Sequence, residues 1–174
     1  MNDLHRYRIT KYDPLTVDKN GDDKEVWTAI SDIGKSFDGE TLTVAKYVEV
    51  EDSYIKAIHL VMDYLETPFL LINKVIRSFS YDTFMEMIQD YRELYTEEVL
   101  EIYSNANDLE QLDKDKLDSF CRLQLREDLG ADVFYPRRMK VFIGYDYLMG
   151  FHTSKSIDSL IPRIEGLGLF VEKH

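Results

Sequence analysis

Residues 133–151 read Val-Phe-Tyr-Pro-Arg-Arg-Met-Lys-Val-Phe-Ile-Gly-Tyr-Asp-Tyr-Leu-Met-Gly-Phe. β-Branched and aromatic residues dominate, so the stretch reads as strands. Three are expected: Val133 to Tyr135, Met139 to Tyr145 and Tyr147 to Phe151, with turns at Pro136-Arg137-Arg138 and around Tyr145-Asp146. Toward the C-terminus, Ser154 is placed to cap a helix over Lys155 to Glu165, and Gly166 and Gly168 release it into a last strand, Leu169 to Glu172. At the other end of the chain, Tyr7 to Tyr12 alternates and is β-prone, and Asp13-Pro14 stops it. Asn20-Gly21 signals a tight turn before an extended Val26 to Ile30, which together predict a hairpin or an Ω-like excursion. Ser31 to Phe37 reads as a short helix capped by Ser31 or Asp32 and closed by Asp38-Gly39.

Between these ends the period changes from two to 3.6. Thr43 to Leu65 carries Tyr47, Val48, Tyr54, Ile55, Ile58, Val61, Met62 and Leu65 on one face, with Thr43 as the N-cap. Pro68 ends that helix, Phe69 to Ile72 reads as a buried strand, and Lys74 to Phe79 extends it after a bend. A second helix is expected from Asp82 to Tyr103 and a third from Asp113 to Leu129, closed by Gly130. Strands at both ends and helices in the middle, without regular β-α-β alternation, predict an α+β fold. The expected architecture is a single domain over residues 1–174. In it a mostly antiparallel sheet from N- and C-terminal strands carries three to four packed helices. The expected core draws on Tyr54, Ile55, Ile58, Met62, Ile88, Tyr91, Phe142 and Phe170.

The chain has 174 residues, of which 44% are hydrophobic and 13% aromatic. That is enough to build a core without disulfides, and far too much for a disordered chain. The lone Cys121 permits no intramolecular disulfide, the start MNDLHRYRIT has no secretory h-region, and no apolar run approaches a membrane span. The expected location is the cytoplasm, with no membrane partner. The net charge is −12, which makes nucleic acid a poor primary ligand. The imbalance is local: Tyr81 to Asp132 holds 15 acidic and 5 basic residues, against 18 and 16 in the remainder.

Motifs that would carry chemistry are sparse. His5, His59, His152 and His174 are scattered, with no metal-ligand spacing among them, and no zinc site or other metal is expected. Asp18, Asn20 and Asp22 match the first three side-chain positions of a calcium loop, but Asp23 and Ala29 stand where such a loop needs Gly and Glu, so a turn explains the segment better. Cys121 sits among apolar residues of a predicted helix and reads as structural. No phosphate-binding glycine loop, nucleophile elbow or dinucleotide fingerprint occurs, so neither a cofactor nor a catalytic residue is expected. Trp27 to Gly34 draws notice, although Ser31 and Asp32 are explained equally well by capping.

Arg8-Ile9-Thr10-Lys11-Tyr12-Asp13-Pro14, Trp27-Thr28 with Ser31-Asp32-Ile33-Gly34, Gly144-Tyr145-Asp146-Tyr147 and Gly168-Leu169-Phe170-Val171-Glu172 resemble a family of small uncharacterised bacterial proteins. The resemblance spans most of the chain and implies no catalytic residue. In size and acidity the chain is also loosely similar to immunity proteins that neutralise bacterial toxins.

The reading is of a non-enzymatic, acidic binding protein, an immunity-type inhibitor of a basic bacterial toxin. Its expected contacts are Glu86, Asp90, Glu93, Glu97, Glu98 and Glu101, of which Glu86, Asp90, Glu93, Glu97 and Glu101 share one stripe if residues 82–103 form one helix. Clustered carboxylates steer a cationic partner and raise its on-rate. The alternatives are a small enzyme or ligand-binding domain with a Tyr/Asp/His-lined pocket, and a homo-oligomeric structural protein.

Overall fold

The computed structural model of the chain describes residues 4–15 and 26–174. A seven-stranded, wholly antiparallel sheet forms its frame. The chain runs through β1 (His5–Thr10), a small hairpin of β2 (Ser36–Phe37) and β3 (Glu40–Thr41), and α1 (Val44–Tyr64). It continues through β4 (Leu70–Ile76), α2 (Tyr81–Met87), α3 (Glu97–Asn105), β5 (Gln111–Leu112) and α4 (Lys114–Leu125). The last elements are β6 (Gly130–Tyr135), β7 (Met139–Ile143), β8 (Met149–Thr153), α5 (Ile161–Glu165) and β9 (Phe170–Lys173). The strand order is β5-β4-β6-β7-β8-β1-β9. The fold is therefore α+β. The middle of the chain also contributes to the sheet through β4 and β5.

The meander β6-β7-β8 is the centre of the sheet, and its alternation decides which face is covered. Val133, Val141, Phe151, Tyr7 and Ile9 are buried, whereas Phe142, between two inward positions, is 37% exposed. The inward side chains meet Tyr54, Ile58 and Met62 of α1 and Leu117, Phe120 and Leu123 of α4 in one cluster. Thr43 caps α1, its hydroxyl accepting from the Lys46 N–H at 3.1 Å. Asp113 caps α4 in the same way, accepting from the Lys116 N–H at 2.9 Å.

Several expected elements differ. Residues 82–103 are not one helix: α2 stops at Met87, a 3₁₀ segment covers Gln89–Leu94 with Tyr91 at φ −121°, and Tyr95 is extended before α3 begins. Thr96 restarts the helix, its hydroxyl accepting from the Val99 N–H at 3.2 Å. Residues 31–37 form no helix beyond a 3₁₀ turn over Ile30–Asp32. Asp38 and Gly39 instead lie at φ 50° and 82° as the turn of the β2–β3 hairpin, the left-handed pair that such a turn requires. The α4 helix ends at Leu125, short of the expected Leu129, because Glu127 turns left-handed at φ 63°. The last helix spans only Ile161–Glu165, with a 3₁₀ turn over Asp158–Leu160 before it and Pro162 in its first turn. Among expected core residues, Tyr54, Ile55, Ile58, Met62 and Ile88 are buried. Phe142 lies on the uncovered face, and Tyr91 and Phe170 are half-buried. The calcium-like Asp18, Asn20 and Asp22 and the Asn20-Gly21 turn lie outside the described residues.

Candidate functional site

On the helical side an ion network underlies a groove. Glu51 sits four residues after Tyr47 and four before Ile55, so the helical period places it on the apolar stripe of α1, and its side chain is fully buried. A carboxylate there demands paired cations. Arg126, just past the end of α4, supplies a two-pronged match: Nε donates to Oε2 at 2.8 Å and Nη2 to Oε1 at 2.6 Å. Arg122, one turn earlier, donates to Glu51 at 2.5 Å and to Asp52 at 2.8 Å. The remaining Nη1 of Arg126 donates to the Leu94 carbonyl at 2.9 Å, and its guanidinium lies 4.7 Å from the centre of the Tyr95 ring. Burial opposes the charge on Arg126, but the Glu51 bonds outweigh it and raise its pKa. The network therefore ties α1, α4 and the break before α3 together.

Beside it, Tyr95 donates to Asp128 at 2.6 Å. Burial pushes the Asp128 carboxyl up to about 7, against the opposing Tyr95 bond and Arg126 charge. Tyr47 and Tyr147 share a hydroxyl–hydroxyl bond, and Tyr54 donates to the Tyr147 carbonyl at 2.9 Å. Burial raises the pKa of all three phenols. Trp27 packs on this set, its ring 5.3 Å from both Tyr47 and Tyr147, and is itself buried. Asp32 accepts from the N–H groups of Thr28 and Ala29. The segment from Trp27 to Gly34 is thus explained by packing and capping.

Above the network lies an open groove of about 550 Å³. Glu93 and Glu98 line it from the helix break and the start of α3, and Asp115 and Asp118 from α4, with Val48, Leu94 and Val99 among its apolar lining and Arg122 and Arg126 also reaching it. All six expected contact residues, Glu86, Asp90, Glu93, Glu97, Glu98 and Glu101, are exposed. None makes an ion pair among the described residues. The helix break means they form no single stripe: Glu93 and Glu98 line the groove, and Glu86, Asp90, Glu97 and Glu101 lie outside it. Asp115 and Asp118 are groove residues that sequence reading missed. Their signal was the acidic count of the α4 segment.

His59 on α1 faces Asp118, with Nε2 and Oδ1 2.7 Å apart, and each atom otherwise lacks a partner among the described residues. Cys121 is fully buried, and burial pushes its thiol pKa up, as expected of a structural cysteine. Among the described residues no group of three or more His, Cys, Asp or Glu side chains is placed to hold a metal, and no helix is long and apolar enough to cross a membrane. Comparison with protein-family models, with curated proteins and with solved structures gives no match.

Proposed function

We propose that this chain is a non-enzymatic binding protein that docks a cationic protein on its helical face, as an immunity-type inhibitor of a basic bacterial toxin in the bacterial cytoplasm. The observation that carries the reading is the groove lined by Glu93, Glu98, Asp115 and Asp118 together with Val48, Leu94 and Val99. A lysine or arginine side chain of the partner lays its aliphatic stem on the apolar lining and its charged head among the carboxylates. Glu86, Asp90, Glu97 and Glu101 add an unpaired negative surround that steers encounter. The enzyme alternative is less well supported, because Tyr47, Tyr54 and Tyr147 are buried against one another.

The test begins with capture of a partner from the source cell or with the product of a neighbouring gene. Glu93→Lys with Glu98→Lys should then lower the association rate by about tenfold or more and flatten its salt dependence, with the thermal midpoint little changed. A partner that binds this double variant as fast and as tightly as wild type at low salt refutes the reading.

A further inference from the structure

The helices cover one face of the sheet, and the other face has the opposite electrostatic character. Register places Arg6, His152, Lys140, Phe134 and Leu71 in one row across five strands, and Arg8, Gly150, Phe142, Asp132 and Asn73 in the next. Two hollows lie along these rows and share His152. One, of about 350 Å³, is bounded by Arg6, Arg8, Phe142, Gly150, His152 and His174. The other, of about 330 Å³, includes Phe134, Arg137, Arg138 and Lys140. Neither is lined by an Asp or Glu side chain, in a chain with 33 acidic residues.

Gly150 shapes the first hollow. A Cβ at that position would lie 2.2 Å from the tip of the Phe142 ring, so the missing side chain lets the ring lean across the neighbouring strand. There it meets His152 edge-on at 5.2 Å and remains 37% exposed. Arg6 and Arg8 are exposed, and neither has an ion pair among the described residues. Lys140 is paired to Asp132 at 3.2 Å, and Glu172 stands opposite Arg8 without bonding it. The pKa of His152 is lowered by burial and by the positive charges of Arg6 and Lys140, against the weaker pull of Asp132.

We propose that this open face binds single-stranded nucleic acid, with phosphates on Arg6, Arg8 and Lys140 and bases against Phe142 and Phe134. An exposed Phe142 and a half-buried Phe134 interleaved with cations on a sheet form a stacking platform, since every base offers a π-face while the backbone follows the charge. An acidic polypeptide would use the cations alone and leave the Phe142 ring without a role. The net charge of −12 does not decide against this ligand, because the charge is sorted. The acidic groove lies beyond a helix layer roughly 10 Å thick, and physiological salt screens charges over about 8 Å.

The experiment is fluorescence anisotropy of labelled eight-nucleotide oligouridylate and oligothymidylate with the full chain at about 150 mM salt, where the acidic face is screened, and at lower and higher salt for the slope. Binding of either oligomer is expected, weakening as salt rises. Arg6→Glu with Arg8→Glu should reduce it at least tenfold. Phe142→Leu should reduce it several-fold without changing the salt slope, which separates stacking from charge. Thermal midpoints of the variants confirm that each is folded. The proposal is overturned if neither oligomer binds at 100-fold excess of protein. It is also overturned if Phe142→Leu binds as wild type does, or if polyglutamate competes as well as unlabelled oligomer, which would mark a face for acidic polypeptides.

Discussion

Truncating Glu51 would strand Arg126, whose side chain is 1% exposed, as a buried cation without a counter-charge. Glu51→Ala is therefore expected to cost about 3–5 kcal/mol, whereas Glu51→Leu combined with Arg126→Met should recover a large part of that loss. Urea unfolding of the two singles and the double checks the coupling, and additive losses would show that the pair is not a unit. Asp128 titrates in the opposite sense from an ordinary ion-paired acid. Its folded pKa of about 7 lies above the unfolded value, which for Asp is about 4. Between those values the folded state holds the extra proton, so this group's contribution is fully present below about pH 4 and is lost as pH rises through 7. Asp128→Asn should abolish that loss, gaining on the order of 1–2 kcal/mol over wild type at pH 8 relative to pH 5, with partial exposure limiting the size. Equal pH slopes for the two proteins would contradict the assignment. Sequence reading passed over Glu51, although a Glu at i+4 from Tyr47 and i−4 from Ile55 falls on the apolar stripe. Its partners were not legible there, because Arg122 and Arg126 reach it only through the packing of α4 on α1.

The break between α2 and α3 shows where element-scale reading fails. Apolar residues continue at helical spacing from Phe84 through Tyr103, and periodicity alone reads through the interruption. The deciding signal is a cap: Thr96 followed by two acids and a valine starts a new helix, with Glu97 and Glu98 in the first turn where the helix dipole favours them. Thr96→Ala should cost about 1 kcal/mol, measured by chemical denaturation, and a negligible cost would mean that Thr96 does not set the start of α3. The sheet was read more successfully. Its strands between Val133 and Phe151 were placed to within about two or three residues, the usual uncertainty of element ends, but Phe142 was expected in the core where Val141 points inward instead. Val and Phe adjoin in Val141-Phe142, and alternation without knowledge of what covers the sheet leaves either one to point inward. Val141→Ala is expected to destabilise by about 2 kcal/mol through a cavity, and Phe142→Ala by clearly less. The reverse order of denaturation midpoints would mean that the strand is out of register by one residue.

At the scale of the molecule, charge is divided between two faces. The helical side carries an unpaired negative surplus, so its carboxylates repel one another most at low ionic strength. Raising sodium chloride from about 10 to 150 mM should raise the thermal midpoint by a few degrees, and Glu93→Lys with Glu98→Lys should diminish that rise; calorimetry with no salt response in wild type would show that the surplus is already neutralised. The sheet order has a different consequence, one that concerns time. The strand β1 lies between β8 and β9, with Tyr7 opposite Phe151 on one side and Lys173 on the other. Tyr7 must therefore wait for Phe151, 144 positions further on, before β1 has a neighbour, and closing so long a loop is slow. The register also brings the two ends of the sheet chain together, with the His174 N–H donating to the Arg6 carbonyl at 3.0 Å. A circular permutant that joins His174 to Leu4 through a short Gly-rich turn and opens at Asp38-Gly39 converts the most distant pairing in the fold into a local hairpin, and it should refold faster than the natural order while unfolding at a similar rate.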